Sequence, residues 1–372
     1  MMPKVNKEPK IVIIFGAGFS VSSGVPSQDG LLKGLNEFYE KSGTIEEQNN
    51  WKSFVKFFQD TICKNVDGFK IEDIFTIFDK CISENEAFKG KSTDDIRLAN
   101  KYLLKCLQSY IAEISKNNFE NKNYSYSNYF ELAKIIIDKR TKYNSEDRIA
   151  LVCLNWDDYF ERVLTLVQRS NVPYQKTLLD YCTYDDSFSN NNKYTPSILK
   201  KTKGLINLKL LKPHGSVNWG YCPNCGRLYV SLGSKIRKKY ECIKYCNKKY
   251  GKTMLDSVMI TPTFLKDIGN QHLVNIWQNI GIELTEATKV VFIGYSLRPE
   301  DFYFRFQLLK NIDKDTEITV FDYINSADSS ETKKYKLEVE KKFENYFQTH
   351  KKPSVYIDGW EKHIKDIESI FP

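Results

Sequence analysis

The sequence predicts an α/β protein in which helices cover a mostly parallel sheet, with a helical insertion and a small cysteine-rich module. Two kinds of segment predict the sheet and its helices: apolar runs typical of strands buried on both faces, and helical periodicity between those runs. Strands that alternate with helices favour a parallel sheet. Ligands of such sheets bind beyond the carboxyl ends of the strands.

The first strand and the turn after it organise the rest of the prediction. Lys10–Phe15 is a mostly apolar, β-branched run that leads directly into Gly16, Ala17 and Gly18. A strand, a glycine turn and a helix begin a Rossmann-like dinucleotide-binding unit, in which backbone N–H groups approach a diphosphate. The spacing falls short of GxGxxG because Val21 stands at the third glycine's position, so a βα turn without a ligand is the alternative.

Further strands and helices follow from the same patterns. Apolar runs predict strands at 148–154, 206–211, 257–262, 289–293 and 317–323, and periodicity predicts helices at 31–39, 270–286, 302–309 and 331–347. Residues 46–139 are helical in pattern, so we assign a helical insertion to about 40–145 within one domain that spans 1–372. The polar segments 116–127 and 183–203 are predicted to be loops.

The composition sets bounds on partners and location. The chain has 372 residues, of which 41% are hydrophobic and 27% charged, as in ordinary soluble proteins. Lys and Arg number 55 against 47 Asp and Glu, a mild positive bias that tolerates anionic ligands without requiring nucleic acid. Because no apolar run approaches roughly 20 residues and no signal-peptide core is present, we expect a cytoplasmic protein without membrane contact.

Five predicted strand exits carry small or polar residues. Because the carboxyl ends of parallel strands meet at one edge of a sheet, these residues are expected to line a single crevice. This convergence favours a binding site more strongly than any single motif does. The five exits are Gly16–Gly18, Asn155–Asp157, His214–Ser216, Gly294–Ser296 and Asn325.

Asn155, Asp157 and His214 form the first candidate constellation for chemistry. Each follows directly on a predicted strand, and His214 is one of only four histidines, placed between Pro213 and Gly215. A neutral imidazole accepts protons near neutral pH, so His214 is a candidate general base. The alternatives are a structural histidine, and an Asn155 or Asp157 that caps the following helix.

Four of the nine cysteines form the second constellation. A CxxC pair, followed after 16 residues by a CxxxC pair, is typical of a four-thiolate structural zinc site, here a zinc-ribbon module at about 220–252. The alternatives are an unmetallated remnant and a redox pair. Basic residues at 235–239 leave nucleic acid open as a minority partner. The four candidate ligands are Cys222, Cys225, Cys242 and Cys246.

Taken together, these motifs resemble the sirtuin superfamily. They occur in that family's order, and the cysteine module lies between the histidine and the later glycine–serine strand, as it does there. The matching segments are Gly16–Ser20, Ser23–Pro26, Leu154–Asp157, His214–Ser216, the four cysteines, Gly294–Leu297 and Asn325.

The resemblance implies NAD bound by a Rossmann-like domain beside a structural zinc. It implies that the adenine-side ribose is contacted by Asn325, that the nicotinamide and its ribose are held by Asn155 and Asp157, and that His214 is the general base. The remaining contacts with NAD would come from Gly16, Ala17, Gly18, Ser20, Pro26, Gly294, Tyr295 and Ser296.

Two departures from the deacylases of this family change the implied activity. Those enzymes follow Gly-x-Pro with Asp-Phe-Arg, whereas this chain has Ser27-Gln28-Asp29. Its Asn155-Trp156-Asp157 is closer to the Asn-Tyr-Asp of bacterial sirtuin-like defence effectors, which also carry a helical insertion. The resemblance therefore implies an NAD hydrolase (NAD glycohydrolase) of antiphage defence, acting as a homo-oligomer or with a regulatory subunit such as a HerA-type ATPase. An NAD-dependent protein deacylase and a non-catalytic sensor of NAD or ADP-ribose are the alternatives.

Overall fold

A computed structural model describes residues 9–66, 69–122, 126–143, 146–183, 185–187, 205–230, 241–242, 246–263, 269–326, 328–347, 349 and 351–371. The strands are, in chain order, β1 (Ile11–Phe15), β2 (Ile149–Cys153), β3 (Thr177–Asp180), β4 (Asp185–Ser187), β5 (Ile206–Leu211), β6 (Gly215–Tyr221), β7 (Leu228–Val230), β8 (Asp256–Met259), β9 (Lys289–Ile293), β10 (Glu317–Phe321) and β11 (Ser354–Tyr356). The helices are α1 (Ala17–Val21), α2 (Leu31–Lys41), α3 (Ile45–Thr61), α4 (Ile71–Glu84), α5 (Thr93–Glu120), α6 (Tyr126–Tyr143), α7 (Tyr159–Ser170), α8 (Cys246–Tyr250), α9 (Gln271–Glu286), α10 (Phe302–Asn311), α11 (Ser329–Phe347) and α12 (Ile364–Ile370).

Seven of these strands form one parallel sheet, in the order β11-β10-β9-β1-β2-β5-β3. The apolar residues of β1 and β2 are buried along their whole length, as strands covered on both faces must be. β1 lies at the centre between β2 and β9, and the chain builds the sheet outward from it in both directions. This arrangement opens a crevice at the carboxyl end of β1. The predicted α/β class with a mostly parallel sheet is confirmed.

Most element bounds agree with the sequence patterns, and two loop predictions do not. Strands β5 and β9 occupy the predicted residues, and α9 ends where its periodicity does. The predicted loop at 116–127 is wrong over residues 116–120, which form the last turns of α5. The predicted loop at 183–203 contains β4, and residues 188–203 lie outside the described part of the chain.

Helices α2 to α5 bury their apolar faces in a core of their own, next to the core that surrounds the parallel sheet. Reciprocal capping boxes begin two of these helices, at Thr44 with Glu47 and at Ser92 with Asp95. Val217 of β6 is part of this helical core, so the helices also pack against that strand. The boundaries of the insertion and of the zinc-ribbon module stay predictions. In the described segments, no helix is long and apolar enough to cross a membrane.

A second sheet, in the order β4-β7-β6-β8, was not predicted as a sheet. β6 pairs antiparallel with β7 and β8, and it begins at Gly215, directly after His214. Gly215 has a φ of +71°, and a Cβ there would lie 1.9 Å from the carbonyl oxygen of Val258. The glycine is therefore required for β6 to turn away from the parallel sheet at this point.

Candidate active site

A cleft opens at the carboxyl ends of the parallel strands and gathers residues from five strand exits, those of β1, β2, β5, β9 and β10. It also receives side chains from the segment before α2 and from the segment after β8. Of the predicted catalytic and NAD-contacting residues, those that line the cleft are Gly16, Ala17, Gly18, Ser20, Pro26, Asn155, Asp157, His214, Gly294, Tyr295 and Ser296. Asn325 is exposed and is not among the lining residues.

The two glycine turns pack backbone against backbone. Gly16 donates its N–H to the carbonyl of Ile293 at 3.0 Å, and Gly18 donates to the carbonyl of Gly294 at 2.9 Å. A Cβ at Gly16 would lie 2.5 Å from the Gly294 oxygen. Gly294 has a φ of +65°, and a Cβ there would lie 2.2 Å from the Phe19 nitrogen. The glycines thus allow β1 and β9 to end side by side, which leaves a floor of bare backbone at the cleft.

Asn155 is held in one orientation. Its Nδ2 donates to the carbonyl oxygen of Gly16 and to Ser20 Oγ, both at 2.7 Å. Ser20 Oγ–H donates in turn to Asp157 Oδ2 at 2.6 Å, so the serine accepts from one neighbour and donates to the other. Because a carbonyl can only accept, these contacts fix the amide, and Oδ1 is the atom that Asn155 presents to a ligand.

Asp157 is buried and orients Ser20, and through Ser20 it orients Asn155. Its Oδ1 accepts the backbone N–H of Tyr159 at 3.1 Å, while Oδ2 accepts the Ser20 hydroxyl. Burial raises the pKa of the Asp157 carboxyl, and the ammonium of Lys212 and the hydroxyl of Ser20 partly counteract that rise. The carboxylate therefore fixes both the start of α7 and the direction of Ser20.

Lys212 anchors the loop that carries Asn155 and Asp157, and sequence reasoning missed it. The lysine is fully buried, and its ammonium donates to the Asp157 carbonyl at 2.6 Å, to Glu161 Oε2 at 2.9 Å and to Ser216 Oγ at 2.8 Å. Burial lowers the pKa of Lys212, but Glu161, Cys153 and Asp157 together outweigh that effect and leave the pKa raised. The available signal was a lysine placed directly after Leu210 and Leu211, the apolar end of β5.

His214 has one defined tautomer when neutral. Its Nδ1 lies 3.1 Å from the carbonyl oxygen of Leu154, which can only accept, so Nδ1 carries the hydrogen. Nε2 is then the basic atom, and Asp301 Oδ1 lies 3.9 Å from it. Asp301 lines the cleft and was also missed. A carboxylate at this distance stabilises the imidazolium that forms when Nε2 accepts a proton.

The second sheet fixes His214 relative to Asn155. Val217 donates its N–H to the Trp156 carbonyl at 2.8 Å, and the Trp156 indole donates to the Ile260 carbonyl at 3.1 Å. Ile260 donates its N–H to the His214 carbonyl at 2.9 Å. These bonds join the exits of β2, β5 and β8 into one unit. The two candidate catalytic residues are therefore positioned by backbone contacts.

A carboxylate lies at the cleft end next to β10. Asp322 directly follows β10, lines the cleft and accepts the Tyr335 hydroxyl at 2.9 Å. Its other oxygen accepts the Tyr323 N–H at 2.9 Å. Asn325 instead receives a long contact of 3.5 Å from the Tyr323 hydroxyl. The polar group that reaches the cleft from this strand exit is thus Asp322, three residues before the predicted one.

The four clustered cysteines fit a zinc ion. Their sulfurs all lie within 4.8 Å of one another, with Cys222 to Cys246 at 3.7 Å and Cys225 to Cys242 at 3.6 Å. Tetrahedral Zn–S bonds of about 2.3 Å place sulfurs about 3.8 Å apart. Burial raises the pKa of the Cys242 thiol, but hydrogen bonds, the Tyr229 hydroxyl first among them, bring it down to about 7. This donor set suits a structural metal at the end of the second sheet.

Comparison with known proteins gives likeness in structure only. No sequence family matches the chain, and no curated protein matches it. The solved structures that resemble it are sirtuin homologues. A Sir2 homologue in complex with NAD has a TM-score of 0.42 at 12% identity, over 96% of this chain and 90% of that chain. Sir2 with the inhibitor EX-527, 2′-O-acetyl-ADP-ribose and deacetylated p53 peptide gives 0.37 at 10%, over 97% and 94%. A structure from work on sirtuin substrate affinity gives 0.34 at 13%, over 85% and 83%. At such scores, no ligand or activity is carried over to this chain.

Proposed function

We propose that this chain is an NAD hydrolase that cleaves NAD to nicotinamide and ADP-ribose. One observation carries the proposal: Asn155 and His214 meet in one cleft at the carboxyl ends of parallel strands, each with a fixed hydrogen-bonding orientation. Asn155 presents Oδ1 and His214 presents Nε2, so both offer lone pairs to the bound molecule. The motif order, which resembles that of the sirtuin superfamily, supports NAD as that molecule.

The ligand follows the line of strand exits. The backbone floor at Gly16–Gly18 and Gly294–Ser296 takes the phosphates, because its glycines leave no side chain between a ligand and the main chain there. Pro26 contributes to the wall of the cleft beside that floor. We assign the adenine-side ribose to Asp322, since a carboxylate accepts hydrogen bonds from both hydroxyls of a ribose.

Hydrolysis breaks the bond between ribose C1′ and the nicotinamide nitrogen. The bonding electrons leave with nicotinamide, which departs as a neutral base, while positive charge develops on the ribose. Water attacks C1′, and its proton passes to Nε2 of His214, where the Asp301 carboxylate stabilises the imidazolium. Asn155 Oδ1 orients the water or a ribose hydroxyl, and Ser20 and Asp157 hold Asn155 in place. A general base supplies roughly 10²- to 10⁴-fold, so positioning must supply much of the rest.

The biological setting belongs to the same proposal. The Asn155-Trp156-Asp157 sequence and the helices inserted after the first turn resemble bacterial sirtuin-like effectors of antiphage defence. Because unrestricted loss of NAD is toxic, we propose control by homo-oligomerisation or by a regulatory subunit such as a HerA-type ATPase. The four cysteines would hold a zinc ion, which would support the second sheet as a structural metal.

The test is to incubate the purified full chain with NAD, alone and with its candidate regulatory ATPase, and to quantify nicotinamide and ADP-ribose. His214→Ala should lower turnover by about 10²- to 10⁴-fold, because it removes the base. NAD that stays intact under every condition would refute hydrolysis. An O-acyl-ADP-ribose product with an acylated lysine peptide would favour a deacylase instead. Tight binding of NAD that is recovered unchanged would favour a sensor.

A further inference from the structure

Arg298 stands out among the residues that line the cleft because of its charge. Among the described lining residues it carries the only permanently positive side chain, whereas Asp157, Asp301 and Asp322 contribute carboxylates. The diphosphate of a dinucleotide carries two negative charges. Backbone N–H groups offset them only in part, so the position of this one guanidinium matters for binding.

In the structure, Arg298 lines the cleft and contacts residues of two other segments. It lies two residues after Ser296, and its Nη1 donates to Gln28 Oε1 at 2.9 Å. Its Nη2 donates to Asp29 Oδ2 at 3.2 Å, and Nη1 lies 3.7 Å from Glu72 Oε1. The arginine thus connects the exit of β9 with the segment that precedes α2.

The contacts of Arg298 differ in how readily they can be exchanged. The Asp29 side chain is 66% exposed, and exposed ion pairs contribute little because water screens them. Glu72 is buried, so water screens its attraction to Arg298 less than that of Asp29. Burial raises the pKa of its carboxyl, and the Arg298 charge partly counteracts that rise. The guanidinium has five N–H donors, so it can give up Asp29 and keep Glu72.

We propose that Arg298 binds the diphosphate of the dinucleotide, and that Asp29 competes with that diphosphate for the same guanidinium. This inference rests on the proposed function, because it requires a nucleotide diphosphate on the glycine floor. Binding exchanges one anion for another, and the segment before α2 is released from β9 as it occurs.

The experiment measures ADP-ribose affinity of the full chain by isothermal titration calorimetry. Arg298→Gln should weaken binding about tenfold or more, as the loss of a charge-assisted hydrogen bond to phosphate does. Asp29→Asn should strengthen it roughly two- to fivefold, in proportion to an exposed ion pair, with a smaller gain at high salt. The matched control is Asp94→Asn, which removes an exposed carboxylate paired with Arg97 at 3.0 Å on α5. It should leave the affinity unchanged.

Each outcome of the titration supports or refutes the exchange of Asp29 for the diphosphate. If Asp29→Asn behaves like Asp94→Asn, or if a folded Arg298→Gln keeps the wild-type affinity, the exchange does not occur. If Arg298→Gln does not fold, the exposed Asp29 variant still decides. NAD hydrolysis is measured in parallel on the wild-type chain. The expected affinity shifts, with NAD intact both alone and with the candidate regulatory ATPase, would refute the enzymatic function and support the diphosphate exchange. Hydrolysis of NAD by a chain that binds no ADP-ribose would refute the exchange and leave the enzymatic function standing.

Discussion

Replacing Lys212 with methionine tests whether the buried lysine holds the active-site loop. The substitution removes the ammonium that donates to Glu161, to Ser216 and to the Asp157 carbonyl, and leaves the buried Glu161 carboxylate without its cation. Breaking a buried ion pair from one side costs about 3–5 kcal/mol. We expect the free energy of unfolding, measured with urea, to fall by that amount. Turnover should fall as well, because the loop loses its anchor.

Two further variants separate the charge effect from a packing effect. Lys212→Met combined with Glu161→Gln removes the uncompensated charge and should recover part of the loss. Lys209→Met, three residues earlier in β5, is the control, because its buried partner Glu283 keeps Lys10 at 2.7 Å. Lys209→Met should lower the free energy of unfolding by less than Lys212→Met does. Equal losses in the two single variants, or no recovery in the double variant, would refute the reasoning.

The same variant carries a pH signature. Burial raises the pKa of the Glu161 carboxyl, so the folded state binds its proton more tightly than the unfolded state does. An acid of this kind favours the folded state below its unfolded pKa and loses that contribution as pH rises through its folded pKa. With Lys212 gone, the loss of stability should be smaller at pH 5 than at pH 8. A loss that is independent of pH would contradict an unpaired carboxylate as its cause.

Three other predictions follow. Ser20→Ala should lower kcat about 10- to 100-fold with little change in KM, because the amide of Asn155 loses one of its two acceptors. The control Ser23→Ala removes a buried hydroxyl that donates to a backbone carbonyl and should keep kcat within about twofold. Equal kcat values for the two variants would contradict this prediction. Metal analysis should find one zinc per chain, and a chelator should lower the unfolding temperature; an unchanged temperature would argue against a structural metal. Asp322→Asn should increase the hydrolysis of NADP relative to NAD, because it removes a negative charge beside the 2′-phosphate. Asn325→Ala should leave that ratio unchanged. The reverse result would return the adenine-side ribose to Asn325, as the sequence predicted.

The parallel sheet could be predicted because its strands are coded locally. β5 and β9 are short apolar runs between polar residues, so the pattern fixes their ends. α5 continues through residues 116–120, because Phe119 packs against Tyr126 and Tyr159 and Asn118 donates to the Ser23 carbonyl, contacts that the local polar pattern does not reveal. β6 was missed for the opposite reason. Its buried Asn218 and its glycines break the alternation of a strand, and only pairing with β7 and β8 defines it.

Ser20 and Asp157 were predicted as site residues, but their orienting roles and the role of Lys212 could not be predicted, because contacts between distant parts of the chain create them. Ser20 and Asp157 are separated by 137 positions, and Lys212 and Glu161 by 51. Local pattern identifies a polar residue at a strand exit but gives no information on which neighbour its hydrogen bonds reach. The shift from Asn325 to Asp322 has a related origin. The predicted strand extends two residues past the end of β10 at Phe321, and which residue after that end faces the cleft depends on the path of the chain toward β11.

The distribution of charge along the cleft favours one type of reaction over others. Around the candidate catalytic pair, the polar atoms offered to a ligand are acceptors: Asn155 Oδ1, Nε2 of His214 and the carboxylate of Asp301. Acceptors and carboxylates stabilise a centre that gains positive charge, as ribose does when nicotinamide departs. They oppose a reaction that develops an oxyanion at the same place. The positive guanidinium of Arg298 lies at the mouth of the cleft instead, beside the segment before α2. A site with this polarity suits a ligand whose anionic diphosphate is held at one end while a cation forms at the other.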